Sequence, residues 1–196
     1  MTQTEPEASL PISPQHRLPI VAIVGRPNVG KSTLFNRLIR QHKAVVDNRP
    51  GVTRDRNFSP AKWEDVPFLL VDTGGIDLTE TEGVVGHVQE QTRLAIDEAD
   101  FVIFLFDGKE GLNPADAEAV GLLRREKKPV FFAVNKVDGD RQELGASEFF
   151  TFGLAEVFPI SAAHGRGVSD LMDAVIKAFP EESQVTEETK GTEAEA

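Results

Sequence analysis

The segment Gly25-Arg26-Pro27-Asn28-Val29-Gly30-Lys31-Ser32 constrains this chain more than any other feature. It fits the pattern G-x-x-x-x-G-K-[ST]. An apolar run at 20–24 precedes it, and Leu34, Phe35, Leu38 and Ile39 follow at helical spacing. A strand, a glycine-containing loop and a helix in that order form a phosphate cradle. Glycine lets backbone N–H groups turn inward onto phosphate oxygens. The helix N-terminus adds partial positive charge. Lys31 is placed to reach the β- and γ-phosphates, and the Ser32 hydroxyl to ligate Mg²⁺. Gly25, Val29, Gly30 and Thr33 complete the predicted phosphate contacts. By itself the motif selects neither ATP nor GTP, and neither a kinase nor a hydrolase.

The rest of the chain supplies the scaffold such a loop needs. Continuous apolar runs lie at 20–24, 68–71, 101–106 and 130–134, with a shorter one at 157–160. They do not alternate with polar residues, so they read as strands covered on both faces, as in a parallel sheet. Helical patterns lie between them at 32–40, 84–98 and 168–179. Another helix starts at Asn113-Pro114, an N-cap followed by proline at the first helical position. Its end is assigned to Arg124, Arg125, Lys127 and Lys128, which suit the negative end of the dipole, and Pro129 stops it. Residues 58–63 are predicted as an extra strand, hairpinned through Glu64-Asp65 to 68–71. The expected fold is α/β, a mostly parallel six-stranded sheet with helices on both faces.

Four further stations carry chemistry. Asn135-Lys136-Val137-Asp138 follows the run at 130–134. A carboxylate accepts two hydrogen bonds, and guanine offers N1–H and a 2-amino group side by side. Adenine has no such donors, so Asp138 would select guanine. Asn135 would hold the base and neighbouring loops, and the Lys136 stem would pack on the ring. Asp72-Thr73-Gly74-Gly75 ends another strand, where Asp72 suits a Mg²⁺-bound water and Gly75 a close approach to the γ-phosphate. Thr53, in the loop after the first helix, is placed to complete the Mg²⁺ shell when a triphosphate is bound. After the last strand, Ser161, Ala162 and Ala163 present a backbone N–H to guanine O6.

In this order the five stations resemble the guanine-nucleotide motifs of the translation-factor-related GTPases. The wording GRPNVGKSTLFN at 25–36, PGVTRDR at 50–56, DTGGI at 72–76 and NKVD at 135–138 resembles the first G domain of the bacterial Der (EngA) family. It does so more closely than the second G domain of that family or the related Era and MnmE domains. The resemblance spans residues 18–180 and implies a P-loop NTPase G domain that binds GTP and GDP with Mg²⁺. It also implies a role in late assembly of the large ribosomal subunit. Family members carry a second G domain and a KH-like domain, so this chain is expected to be a piece cut in the interdomain linker. Many GTPases orient the attacking water with a Gln that Ile76 replaces here, so intrinsic hydrolysis is expected to be slow. GTPases with a similar asparagine and no such Gln are K⁺-activated, which implies Asn28 as a K⁺ ligand. The expected catalytic set is Lys31, Thr53, Gly75 and Asn28; Ser32, Thr53 and Asp72 hold Mg²⁺. A nucleotide-gated binding module with incidental hydrolysis, or an Era- or MnmE-like G domain, are the alternatives.

Charge and composition bound the rest. The net charge is −11 over 196 residues, and residues 181–196 hold six Glu and one Lys. That stretch cannot bury enough apolar surface to order itself, so an acidic linker or tail is expected there. Residues 1–17 are expected to be disordered as well, leaving 18–180 as the folded unit. No cysteine is present, which excludes disulfides and thiol chemistry. The longest apolar run, 101–106, is far short of a membrane span, and no secretion leader is recognisable. A cytoplasmic, monomeric fragment is the expectation. His16, His42, His87 and His164 lack metal-ligand spacing. Asp107 ends a strand much as Asp72 does, with nothing nearby in sequence to complete a site.

Overall fold

The computed structural model describes residues 17–41, 58–72, 96–125 and 127–184. Six strands form one sheet: β1 (Ile20–Gly25), β2 (Phe58–Trp63), β3 (Val66–Asp72), β4 (Phe101–Asp107), β5 (Val130–Asn135) and β6 (Phe158–Pro159). Their spatial order is β2-β3-β1-β4-β5-β6. All neighbours run parallel except the β2–β3 pair. The helices lying wholly within the described residues are α1 (Lys31–Gln41), α2 (Pro114–Leu123), α3 (Asp140–Ala146), α4 (Val168–Lys177) and α5 (Glu181–Gln184).

The unbroken apolar runs have a direct structural cause. In β4, Phe101, Ile103 and Leu105 enter one core while Val102, Phe104 and Phe106 enter the other. In β1, Val21 and Ile23 face the first core, and Ile20, Ala22 and Val24 the second. Leu34 and Leu38 of α1 and Leu171, Met172 and Val175 of α4 cover the first face. Val120 and Leu123 of α2, with Phe149, cover the opposite one. Each fully buried large side chain contributes about 1.5–3 kcal/mol. The expected doubly covered, six-stranded sheet is what forms.

The strand order places the site. The chain passes from β1 to β3 on one side, and β4 lies on the other. In such sheets the crevice beyond the strands' carboxyl ends, where the order reverses, receives ligands. β1 ends at Gly25, the first residue of the phosphate loop.

The predicted hairpin is present. Phe58 pairs with Val71 and Trp63 with Val66. Its two-residue turn puts Glu64 at φ 44° and Asp65 at φ 68°. Paired positive φ values match the twist of the strands, although glycine or asparagine is the easier choice there. The Trp63 indole N–H donates to Asp173 Oδ1 at 2.8 Å, tying the hairpin to α4.

Several boundaries differ from expectation. β3 runs from Val66 rather than Phe68, because pairing with β2 extends it. β6 keeps two residues, with Pro159 lacking an N–H to extend the ladder. α4 ends at Lys177, two residues before Phe179. α2 ends at Leu123, so the basic residues assigned to its last turn lie beyond it. Two of the four clasp carbonyls instead. Arg124 donates to Phe152 O, and Lys128 donates to Ile96 O and to Asp97 O. α3 and a 3₁₀ segment at Ser147–Phe152 carry no clear apolar period and were not expected; Leu144 on α3 is 79% exposed. The helical pattern at 84–98 lies outside the described residues except at 96–98, which are helical. Of the tail at 181–196, α5 forms one turn and residues 185–196 lie outside the described part. Arg17, in the stretch expected to be disordered, pairs with Asp100 at 2.5 Å; residues 1–16 lie outside.

Candidate functional site

The loop between β1 and α1 takes a conformation few sequences allow. Gly25 has φ 146°, Asn28 φ 65° and Gly30 φ 101°. Asparagine tolerates the left-handed region better than most residues, which gives Asn28 a backbone reason to be there. A Cβ on Gly30 would stand 2.1 Å from Asn135 Nδ2, so glycine is required for close approach as well as for φ. Val29 is buried and anchors the loop in the core, while Asn28 is exposed. Lys31 Nζ donates to Gly25 O at 2.9 Å and to Arg26 O at 2.8 Å, which holds the ammonium against the loop. Ser32 and Thr33 are exposed in the first turn of α1, and no acidic side chain in that turn offsets its positive end.

Asn135 joins this loop to the far side of the site. It ends β5 and is buried. Its Nδ2 donates to Val29 O at 2.8 Å, and its Oδ1 accepts from Ala162 N at 2.8 Å. One side chain thus ties the phosphate loop to the 161–163 segment. From α1, Arg37 holds the same segment by donating Nε to Ala162 O and Nη2 to Ala163 O. Ala162 N is therefore committed to Asn135, while Ala163 is exposed.

Asp138 lies at the end of this arrangement. Its Oδ1 accepts from Ser161 Oγ at 2.8 Å, and its Oδ2 lies 2.7 Å from Lys109 Nζ. The hydrogen bond from Lys109 and then that from Ser161 hold its carboxyl below the ordinary value. Lys136, at φ 68°, pairs with Asp107 Oδ2. Asp107 Oδ1 accepts from the backbone N–H of Lys109 at 2.9 Å and of Glu110 at 3.2 Å. Burial pushes the Asp107 carboxyl up, but Lys136 and the two N–H groups outweigh it and hold it below its ordinary value. Asp107 thus has the partner that its sequence neighbours do not supply: β5 brings Lys136 beside it.

A buried ion pair braces the other side of the phosphate loop. Arg26 Nε donates to Asp116 Oδ1 at 2.9 Å, and its Nη1 to Glu110 Oε2 at 3.0 Å. Asp116 is fully buried, and burial raises its carboxyl despite the guanidinium beside it. Burial acts to lower Arg26, and its two carboxylate partners reverse that.

The structure brings together Gly25, Asn28, Val29, Gly30, Lys31, Ser32 and Thr33 with Asn135, Lys136, Asp138, Ser161, Ala162 and Ala163 at one end of the sheet. Asp72 ends β3 beside β1, paired in register with Ile23. Thr53, Gly75 and Ile76 lie outside the described residues. Sequence reasoning missed Arg26, Arg37, Lys109 and Asp116 as partners. Only Asp107, a carboxylate at a strand end, carried a readable signal.

Chains that place a phosphate loop and an Asn-Lys-x-Asp turn on one edge of such a sheet form the class of P-loop GTPase domains, and this one does so. The particular family follows from residues 20–136, which match the 50S ribosome-binding GTPases; the chain belongs to that family. A protein named GTPase Der from Geotalea daltonii is 56% identical over 162 residues, 83% of this chain and 37% of the relative. GTPase Der from Geobacter metallireducens is 54% identical over 166 residues, 85% of this chain and 38% of the relative. The chain thus spans well under half the length of these relatives. Among solved structures, Era in complex with MgGDPNP and nucleotides 1506–1542 of 16S ribosomal RNA matches with TM-score 0.63 and 32% identity. That match covers 85% of this chain and 61% of the Era chain. A single-substitution variant of Aquifex aeolicus Era bound to GDP.AlF4⁻ matches with TM-score 0.63 and 31% identity, over 84% and 57% of the two chains. Among the described residues no helix is long and apolar enough to cross a membrane.

Proposed function

We propose that this domain binds guanine nucleotide and hydrolyses GTP slowly, as the switch of a cytoplasmic protein that acts on the large ribosomal subunit. The observation that carries the reading is the Asn135 bridge. It joins the phosphate loop at Val29 O to the segment bearing Ser161 and Ala162, with Asp138 three residues on. A phosphate cradle and a base-reading carboxylate therefore belong to one connected unit.

The chain's own groups have distinct tasks. Lys31 and the N-terminus of α1 neutralise phosphate charge as it shifts toward the leaving oxygen. Asp138 accepts from guanine N1–H and the 2-amino group, and Lys136, held by Asp107, lays its stem along the ring. Ala163 is the exposed residue of the 161–163 segment from which a backbone N–H can serve guanine O6. The exposed Ser32 hydroxyl fits a Mg²⁺ shell, with Thr53 and Asp72 as the proposed further ligands; the ion supplies charge neutralisation at the β- and γ-phosphates. Gly75 is proposed to approach the γ-phosphate. Ile76 cannot orient water, so turnover is slow, and K⁺ near Asn28 is proposed to supply the missing charge. Partners of the longer protein would be a second G domain, a KH-like domain and the large subunit; the fragment itself is proposed to be monomeric.

Competition binding tests the base assignment. Wild type is expected to prefer GDP over ADP and xanthosine diphosphate, and Asp138→Asn to move preference to xanthosine diphosphate. Retained GDP preference in that variant would refute the assignment. Turnover of GTP in KCl against NaCl at equal ionic strength tests the K⁺ role; equal rates refute it.

A further inference from the structure

Asp138 is gripped from two sides. Ser161, which is fully buried, donates to Oδ1 from the protein interior. Lys109 reaches Oδ2 at 2.7 Å with a side chain 55% exposed, so it comes from the solvent side. That side is the one from which a base must arrive. Lys109 is positioned at its root, because its backbone N–H donates to Asp107 Oδ1. The other nearby cations differ in their commitments. Lys136 is paired with Asp107, and His164 Nε2 stands 3.9 Å from Asp138 Oδ1 with most of its side chain in solvent.

We propose that Lys109 is a latch on the specificity carboxylate: its ammonium competes with guanine for Asp138 Oδ2, so nucleotide binds by displacing it. This rests on the guanine reading of Asp138. The physical reason is that one carboxylate has a limited set of acceptor positions. An ammonium both occupies one and cancels the charge that makes the others strong acceptors. Exposed ion pairs are weak, changing an equilibrium by a factor of about 1.5–5. The latch therefore tunes affinity and does not block the site. Its effect has the opposite sign to that of a nucleotide contact: removing the side chain tightens binding.

Titration calorimetry with GDP tests it, on the whole chain at about 0.15 M salt, where distant charges are largely screened. Wild type, Lys109→Met and Lys109→Arg are compared, and each lysine change is repeated in the Asp138→Asn background with xanthosine diphosphate. Lys109→Met is expected to bind GDP about 2–5-fold tighter, as the loss of an exposed ion pair allows. Lys109→Arg keeps the charge and is expected to match wild type. In the Asp138→Asn background the Met change is expected to leave xanthosine diphosphate affinity unaltered, because no carboxylate charge remains to hold. Weaker or unchanged GDP binding by Lys109→Met overturns the latch, as does an equal effect in both backgrounds. If Asp138→Asn fails to gain xanthosine diphosphate, the guanine reading falls and the latch with it. A clean nucleotide switch without the Lys109 effect overturns the latch alone.

Discussion

Replacing Asn135 by alanine removes a side chain that bonds the phosphate loop and the 161–163 segment at once. Two partners lose their bonds: Val29 O and Ala162 N. Val29 and Ala162 are each 1% exposed and Asn135 is 3% exposed, so water is poorly placed to substitute. A buried backbone group left unpaired costs about 1–3 kcal/mol, so Asn135→Ala, which leaves two, is expected to cost about 2–6 kcal/mol. That is a large share of the roughly 5–15 kcal/mol by which domains of this kind are stable. With a urea slope of about 2 kcal/mol/M, the unfolding midpoint falls by about 1–3 M at unchanged slope. Asn135→Asp keeps the acceptor for Ala162 N but sets a carboxylate against Val29 O, so it is expected to be no better than alanine. Equilibrium urea unfolding followed by Trp63 fluorescence reads both variants. A loss below about 0.5 kcal/mol for alanine, the size of an ordinary surface change, would refute the bridging argument.

Three further outcomes follow from the same geometry. Gly30→Ala must strain a φ of 101° and push a Cβ to 2.1 Å from Asn135 Nδ2; a loss of about 1–3 kcal/mol in urea unfolding and weaker GDP binding are expected. Asp107 is more acidic folded than unfolded, so its stabilisation is complete above its ordinary value of 3.8 and disappears as pH falls through the lower folded value. Asp107→Asn is therefore expected to flatten the loss of stability as pH falls below about 3.8 and through the lower folded value, and an unchanged slope in urea midpoints there would contradict this. Combining Glu64→Asn with Asp65→Gly relieves two positive-φ residues, at the loss of the exposed Lys62–Asp65 pair. Tm is expected to rise by about 1–4 °C, and a fall would contradict the turn assignment.

Legibility in sequence followed the range of the interactions. The 20–24 and 101–106 runs were readable as strands because residues of both parities must be apolar when both faces are covered. Asn113-Pro114 was readable because capping is local, and Asn113 Oδ1 does accept from Ala115 N at 2.9 Å. α3 was not readable: Leu144 faces solvent, so its position rests on its neighbours in the fold rather than on an apolar stripe. The ends of α2 and β6 were misjudged because the competing partners, Phe152 O and the proline-limited ladder, lie elsewhere in the chain or in the pairing.

Within the site the same division holds. Sequence alone determined the phosphate loop, the Asn-Lys-x-Asp turn and the residue types able to read guanine. Those depend on short spacings and on the intrinsic chemistry of glycine, amide, ammonium and carboxylate groups. Only the tertiary structure decided that Asn135 spans two loops, that Asp107 restrains Lys136, that Arg26 is braced by Asp116, and that Lys109 lies on Asp138. These partners sit 27 to 106 positions apart along the chain for Asn135, and 90 apart for Arg26 and Asp116. Their meeting depends on parallel strand register, which sets β1, β4 and β5 side by side, with Gly25 opposite Leu105 and Asp107 opposite Asn135. A linear pattern contains no record of that register, because the hydrogen bonds that establish it involve backbone groups every residue shares.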